Sequence, residues 1–149
     1  MGAEALVIEF EVDAPPAHAF ETWTRRCATW WPSAHTVSGD PATISFEPRA
    51  GGRIVEHARD GGEHDWGWIL DWEPPSRLRY MWHLFFDAGE ATQVEVTFRP
   101  RGRRTAVRLE QRGWERLGEL GAARRTRTEQ AWSTLTEHFA AACVAEGAR

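Results

Sequence analysis

Between Ile44 and Gln111 the sequence repeats one pattern: a short run with apolar residues at alternate positions, closed by a turn. Strands of that length are not stable alone, and an apolar face on each demands a shared sheet with a cover over its inner side. The chain supplies one long cover. From about Leu120 to Glu146, Trp132, Leu135, Phe139 and Ala142 form an apolar stripe among charged neighbours, which predicts a helix lying lengthwise on the sheet.

The strands can be read individually. "TISFEP" has Ile44 and Phe46 in phase, and "AGG" leads into "RIVEHA". "RDGGE" is a hairpin turn before "HDWGWILDW", and "EPPS" breaks to "RLRYMWHL", where Leu78, Tyr80, Trp82 and Leu84 share a face. "TQVEVTFRP" (Val94, Val96, Phe98) and "TAVRLEQ" (Thr105, Val107, Leu109, Gln111) flank the tip "RGRR". Ahead of these, "LVIEFEV" alternates Leu6, Ile8, Phe10 and Val12 against Glu9 and Glu11. Two prolines then open one or two short helices, with Ala17, Phe20 and Trp23 near helical spacing, ending by Pro32. Residues 33–42 read as a loop. The expected fold class is α+β: one strand, short helices, six strands in an antiparallel sheet and a long C-terminal helix. The 149 residues fit a single domain spanning 1–149.

Composition removes several functions. The net charge of −4 disfavours a nucleic-acid binder. All 18 basic residues are Arg, so Schiff-base lysine chemistry is excluded, and the lack of Asn excludes N-glycosylation. Cys27 and Cys143 form no CxxC, which predicts neither a disulfide framework nor a zinc ribbon and suits a reducing cytoplasm. "MGAEALVIEFEVDAPP" carries no signal-peptide or myristoylation pattern, and no apolar run reaches membrane-spanning length, so no membrane insertion is expected.

The segments "FETWT…WWP", "FEPRAGGRIVE", "DWGWILDWEPPSRLRYMWHL", "TQVEVTF" and "QRGWERLG" resemble, in order and over nearly the whole chain, the SRPBCC or START-like superfamily, in the branch of homologues of the activator of the Hsp90 ATPase. The resemblance implies the helix-grip (Bet v 1-like) fold of the plant pollen allergens: a curved antiparallel sheet gripping a C-terminal helix, with a cavity between. It also implies binding of a small hydrophobic or lipid-like ligand, with cyclases, aromatases and hydrolases as minority members. Where relatives often carry His before the Gly-Trp pair, this chain has Gln111 ahead of "RGW", which removes a titrating group from that inward position.

Three tryptophans in nine residues, Trp66, Trp68 and Trp72, are the most conspicuous candidates. Burying each contributes about 4–6 kcal/mol gross, so tryptophans are ordinarily core. Alternation puts all three on one side as a wall; a bulge at Gly67 splits them across both. An exposed wall would be a natural homodimer surface. Glu56 shares a face with Ile54 and Ala58. It is either a carboxylate in the cavity, satisfied by an Arg or a Trp N–H and available as acid, base or anchor, or an edge residue in water, or a structural partner of an arginine. His35, His57, His64, His83 and Asp65 lack metal-site spacing, and His83 is expected to be exposed. No nucleophile elbow, P-loop or dinucleotide fingerprint is present. The arginines of "RPRGRR" and "ARRTR" read as solvated surface or as an anionic docking patch.

The leading expectation is a cytoplasmic module binding a small hydrophobic or aromatic ligand between sheet and helix. Its lining is assigned to Trp23, Trp31, Ile54, Glu56, Trp66, Trp68, Tyr80, Trp82, Leu84, Gln111, Trp132, Leu135 and Phe139, with no catalytic residue, metal or cofactor. The alternatives are a cyclase- or hydrolase-type enzyme using Glu56 as acid or base, and an Hsp90-interacting domain.

Overall fold

The structure, a computed structural model, describes residues 4–147. Seven strands follow in chain order: β1 (Leu6–Val12), β2 (Pro41–Phe46), β3 (Arg53–Ala58), β4 (Glu63–Glu73), β5 (Arg77–Trp82), β6 (Thr92–Arg101) and β7 (Arg104–Arg112). Helix α1 (Pro16–Trp23) lies between β1 and β2, and α2 (Leu120–Gly147) closes the chain. The strands form one antiparallel sheet in the order β1-β7-β6-β5-β4-β3-β2, curled around the long helix. This is the α+β layout expected from the alternation, in the helix-grip arrangement that the resemblance implied.

Register explains the single apolar face. β1 joins β7 with Ile8 opposite Leu109 and Phe10 opposite Val107, and β6 joins β5 with Val94 opposite Tyr80 and Val96 opposite Leu78. Side chains on one face of paired strands point the same way, so these residues make a common floor. Gly102 at φ 64° supplies the left-handed backbone of the tight turn closed by the Arg101–Arg104 pair. Pro15 and Pro16 stand at the cap and first turn of α1, where their fixed φ suits a helix start. The stripe of α2 closes over the floor: Trp132, Leu135 and Phe139 are buried, Ala142 is half-buried, and Cys143 beside it is buried.

Three expectations are corrected. Ala17 is exposed, and α1 buries Ala19, Phe20, Thr22 and Trp23 instead. The stretch after Pro32 contains a short 3-10 turn at 33–35, and β2 already begins at Pro41. His83 is buried, because its N–H extends the β4 pairing to the Trp66 carbonyl at 2.7 Å and its Nδ1 meets the Phe86 carbonyl at 3.0 Å.

Strand β4 is bulged twice. Ile54 pairs with Gly67 but Val55 with Asp65, and Ile69 pairs with Tyr80 but Asp71 with Arg79, so Trp66 and Leu70 are extra residues. The tryptophans are therefore split. Trp66 is fully buried inside and Trp72 packs edge-on against Phe20 at 5.1 Å. Trp68, opposite Arg53 and Met81, turns to the other face beside His83. Only glycine fits at 67: a Cβ there would lie 1.9 Å from the Met81 carbonyl oxygen.

Candidate functional site

The inner face carries a carboxylate. Glu56 on β3 has no exposed surface, and the backbone N–H groups of Val37 and Ser38 donate to it at 2.8 and 2.9 Å. The Ser38 hydroxyl and the Trp66 indole N–H, at 3.1 Å, also donate to it. Burial pushes its pKa up, but these hydrogen bonds together outweigh burial and hold the carboxyl below the ordinary glutamate value. The inward orientation and a Trp N–H partner match the sequence reading. The other partners, the Ser38 hydroxyl first and then the two loop amides, were not assigned from sequence. Glu56 thus ties residues 37–38 to β3, and its oxygens are occupied.

Above it stands a block of indoles. Trp31 meets Trp66 at 5.3 Å, Trp82 at 5.7 Å and Trp132 at 5.9 Å, while Trp23 stacks on Trp132 at 5.7 Å. Phe139 fits edge-on against Trp23 at 4.9 Å. Edge-to-face and offset contacts of this kind are attractive beyond the area they bury. The indole N–H groups are mostly used within the protein: Trp31 donates to the His35 carbonyl at 3.0 Å and Trp132 to the Gln111 side-chain oxygen at 2.7 Å. Gln111 in turn donates to the Thr92 hydroxyl at 2.8 Å. The deep end of the grip is therefore filled.

A hollow of about 210 Å³ remains at the other end, between the end of β5, Gln111 on β7 and the first half of α2. Of the residues assigned from sequence, Trp31, Trp82, Leu84, Gln111, Trp132 and Leu135 line it. Trp23, Ile54, Glu56, Trp66, Tyr80 and Phe139 do not; they are buried core. Trp68 lies on the opposite face of the sheet. The sequence reading missed His35, Phe85, Phe86, Arg124, Arg127, Thr128 and Ala131. A signal existed for two of these: extending the helical phase of Trp132 backwards by four and eight residues reaches Thr128 and Arg124.

Arg124 is only 6% exposed. Its Nη1 donates to the Glu90 carbonyl at 2.7 Å, and its guanidinium carbon sits 3.6 Å from the Phe86 ring centre. Burial lowers its pKa from the usual arginine value. At the rim, Phe85 adopts φ 72° and is 57% exposed.

A larger trough of about 740 Å³ lies between α1, β2 and the turn after β4, with Phe20, Ile44, Phe46 and Trp72 among its lining. None of the residues assigned from sequence lines it, and its rim charges, Arg25 and Glu21, pair with each other at 2.8 Å. Among the described residues no group of three or more His, Cys, Asp or Glu side chains could hold a metal ion, and no helix is long and apolar enough to cross a membrane.

Residues 13–143 match the family described as "Activator of Hsp90 ATPase homolog 1-like protein". Among solved structures, the chain is similar to the anthrahydroquino-gamma-pyrone synthase Txn09, with 36% identity over 82% of this chain and 84% of that one and a TM-score of 0.60. It is also similar to CalC, a self-sacrificing resistance protein from Micromonospora echinospora: 25% identity, 100% and 99% coverage, TM-score 0.72. The Mesorhizobium loti protein MLL2253, at 23% identity, 91% and 93% coverage and TM-score 0.67, shares the fold. No curated protein sequence matches the chain.

Proposed function

The chain belongs to the Activator of Hsp90 ATPase homolog 1-like family, and from that premise we propose that it binds a small hydrophobic or aromatic molecule between the sheet and α2, in the cytoplasm. The superfamily's members bind hydrophobic ligands or act as polyketide cyclases. The observation that carries the reading is the unfilled 210 Å³ walled by Trp31, Trp82 and Trp132. An apolar cavity of about 150 Å³ holds a benzene ring, so this hollow suits one or two fused rings, with any remainder of the molecule at the open rim.

A second reading, ring closure of a bound intermediate, is favoured by the 36% identity to a synthase. It would work by holding a reactive conformer. Glu56 is a poor acid or base for it, since its oxygens are occupied and it does not line the hollow. An interaction with Hsp90 rests on the family's name alone.

The test is native mass spectrometry of the purified protein, followed by tryptophan-fluorescence titration with one- to three-ring aromatics and fatty acids. Saturable quenching by small aromatics, reduced by Trp82→Leu, is expected. Absence of both a retained mass and any saturable quenching would overturn the reading, and a probe returned chemically changed would favour the second one.

A further inference from the structure

The geometry points to a planar aromatic anion, a carboxylate or phenolate, as the ligand of this hollow: its ring lies on Trp82 and Trp132 and its charge is taken by Arg124, with Arg127 alongside. The inference rests on the proposed binding function and narrows it to one chemical class.

Most arginines that make polar contacts in this protein have acidic partners. Arg53 bonds Asp65, Arg77 bonds Glu95 and Asp71, and Arg79 bonds Asp71. These pairs are partly exposed, where an ion pair stabilises little. Arg124 is the reverse case: it is nearly buried, yet among the described residues it makes no ion pair. A charge removed from water requires compensation, and one carbonyl plus the face of Phe86 compensates it only in part. The other guanidinium N–H groups have no hydrogen-bond partner among the described residues, and the side chain lines the hollow. An anion there would accept the paired, charge-assisted hydrogen bonds that a guanidinium fork offers.

The surroundings add charge of the same sign. Arg127 lines the same hollow and destabilises the Arg124 cation. The nearest opposing charge is Glu90, which acts favourably on Arg124 but is exposed, and its carboxylate accepts the Asp87 N–H within a capping box. No acidic side chain lines the hollow.

The rim is shaped for a ring. Phe86 N–H donates to the His83 carbonyl at 2.7 Å, closing a turn that holds Phe85 in a left-handed conformation unfavourable for a residue with a Cβ. The result is an exposed phenyl at the rim and a second phenyl under the cation.

Two probes that differ only in charge test this: 2-naphthoate and 2-naphthamide, titrated calorimetrically into the full chain at low and high salt. Naphthoate is expected to bind about tenfold more tightly, with the preference shrinking at high salt. Arg124→Gln should abolish the preference for naphthoate over naphthamide, and Arg127→Gln should reduce it by less. Equal or tighter binding of naphthamide by the unaltered protein would overturn the anion inference while leaving the binding function in place. Failure of both probes to bind would overturn the anion inference, and the binding function would then be decided by the wider titration of aromatics and fatty acids. Because the unaltered protein alone decides the charge preference, poor folding of a variant does not blunt the test.

Discussion

Glu56 and Arg124 are both charged and both nearly closed off from water, at 0% and 6% exposure, yet they are opposite cases. Glu56 accepts four hydrogen bonds, three from the 37–38 loop and one from Trp66. Arg124 makes one, to a carbonyl, and faces an open volume. A saturated buried charge is architecture, because every partner it wants is supplied by the fold. An unsaturated one beside a hollow keeps hydrogen-bonding capacity that a ligand of opposite sign can take up.

The largest expected effect comes from removing the saturated charge. Glu56→Ala leaves the amides of Val37 and Ser38 and the Trp66 indole N–H without their acceptor, and should cost about 3–5 kcal/mol in chemical unfolding. Acid should act in the same direction. The folded pKa of Glu56 lies below its ordinary value, so between the two values the unfolded chain binds more protons and stability rises with pH. The contribution is complete above the unfolded pKa and lost as pH falls through the folded one. Unfolding measured from neutral pH down to about 3 should therefore show a drop that Glu56→Gln flattens. An unchanged acid profile in that variant would remove Glu56 from the saturated side of the comparison.

Next in size is Gly67→Ala. The added Cβ would meet the Met81 carbonyl oxygen, so β4 would have to move, and with it the Trp66 that donates to Glu56. A loss of about 2–3 kcal/mol in thermal unfolding is expected. A neutral result would mean that the bulge does not hold Trp66 in place.

The same two charges show what the sequence made legible. The sheet and the long helix were readable because alternation and helical phase are local, as in Val94, Val96 and Phe98 or in Trp132, Leu135 and Phe139. The inward side of Glu56 was readable for the same reason. Of its partners only a Trp N–H was readable; the Ser38 hydroxyl and the two backbone amides lie 18 and 19 residues earlier and are brought near only by the fold. The split of Trp66 from Trp68 depends on a close approach of the neighbouring strand, so Gly67 could mark the place without deciding the outcome. Arg124 was in phase with Trp132, but its burial comes from the 84–86 segment and from Glu90, on the far side of two strands.

A smaller effect, of opposite sign, belongs to the rim. Phe85→Gly releases the positive φ at little loss of buried surface, and should stabilise the fold by about 0.5–1 kcal/mol. Differential scanning calorimetry measures the gain. If the variant is more stable and binds aromatic probes less well, the strain at the rim serves the ligand; if stability falls, Phe85 is packing and its conformation has a structural cause.

The smallest effect expected is the most informative about Arg124. Arg124→Met removes one hydrogen bond to the Glu90 carbonyl and the contact with the Phe86 face, losses on the order of 1–2 kcal/mol together. It also removes the burden of burying a cation without a counter-ion and fills the same space with an apolar chain, a gain of similar size. The two should nearly cancel, so that unfolding of the ligand-free protein shifts by less than about 1 kcal/mol in either direction. A near-null at Arg124 beside a large loss at Glu56 is the signature of one charge kept for the fold and one kept for something that binds. A loss at Arg124 as large as that at Glu56 would erase the distinction, making the guanidinium a clamp between α2 and the segment that carries Glu90.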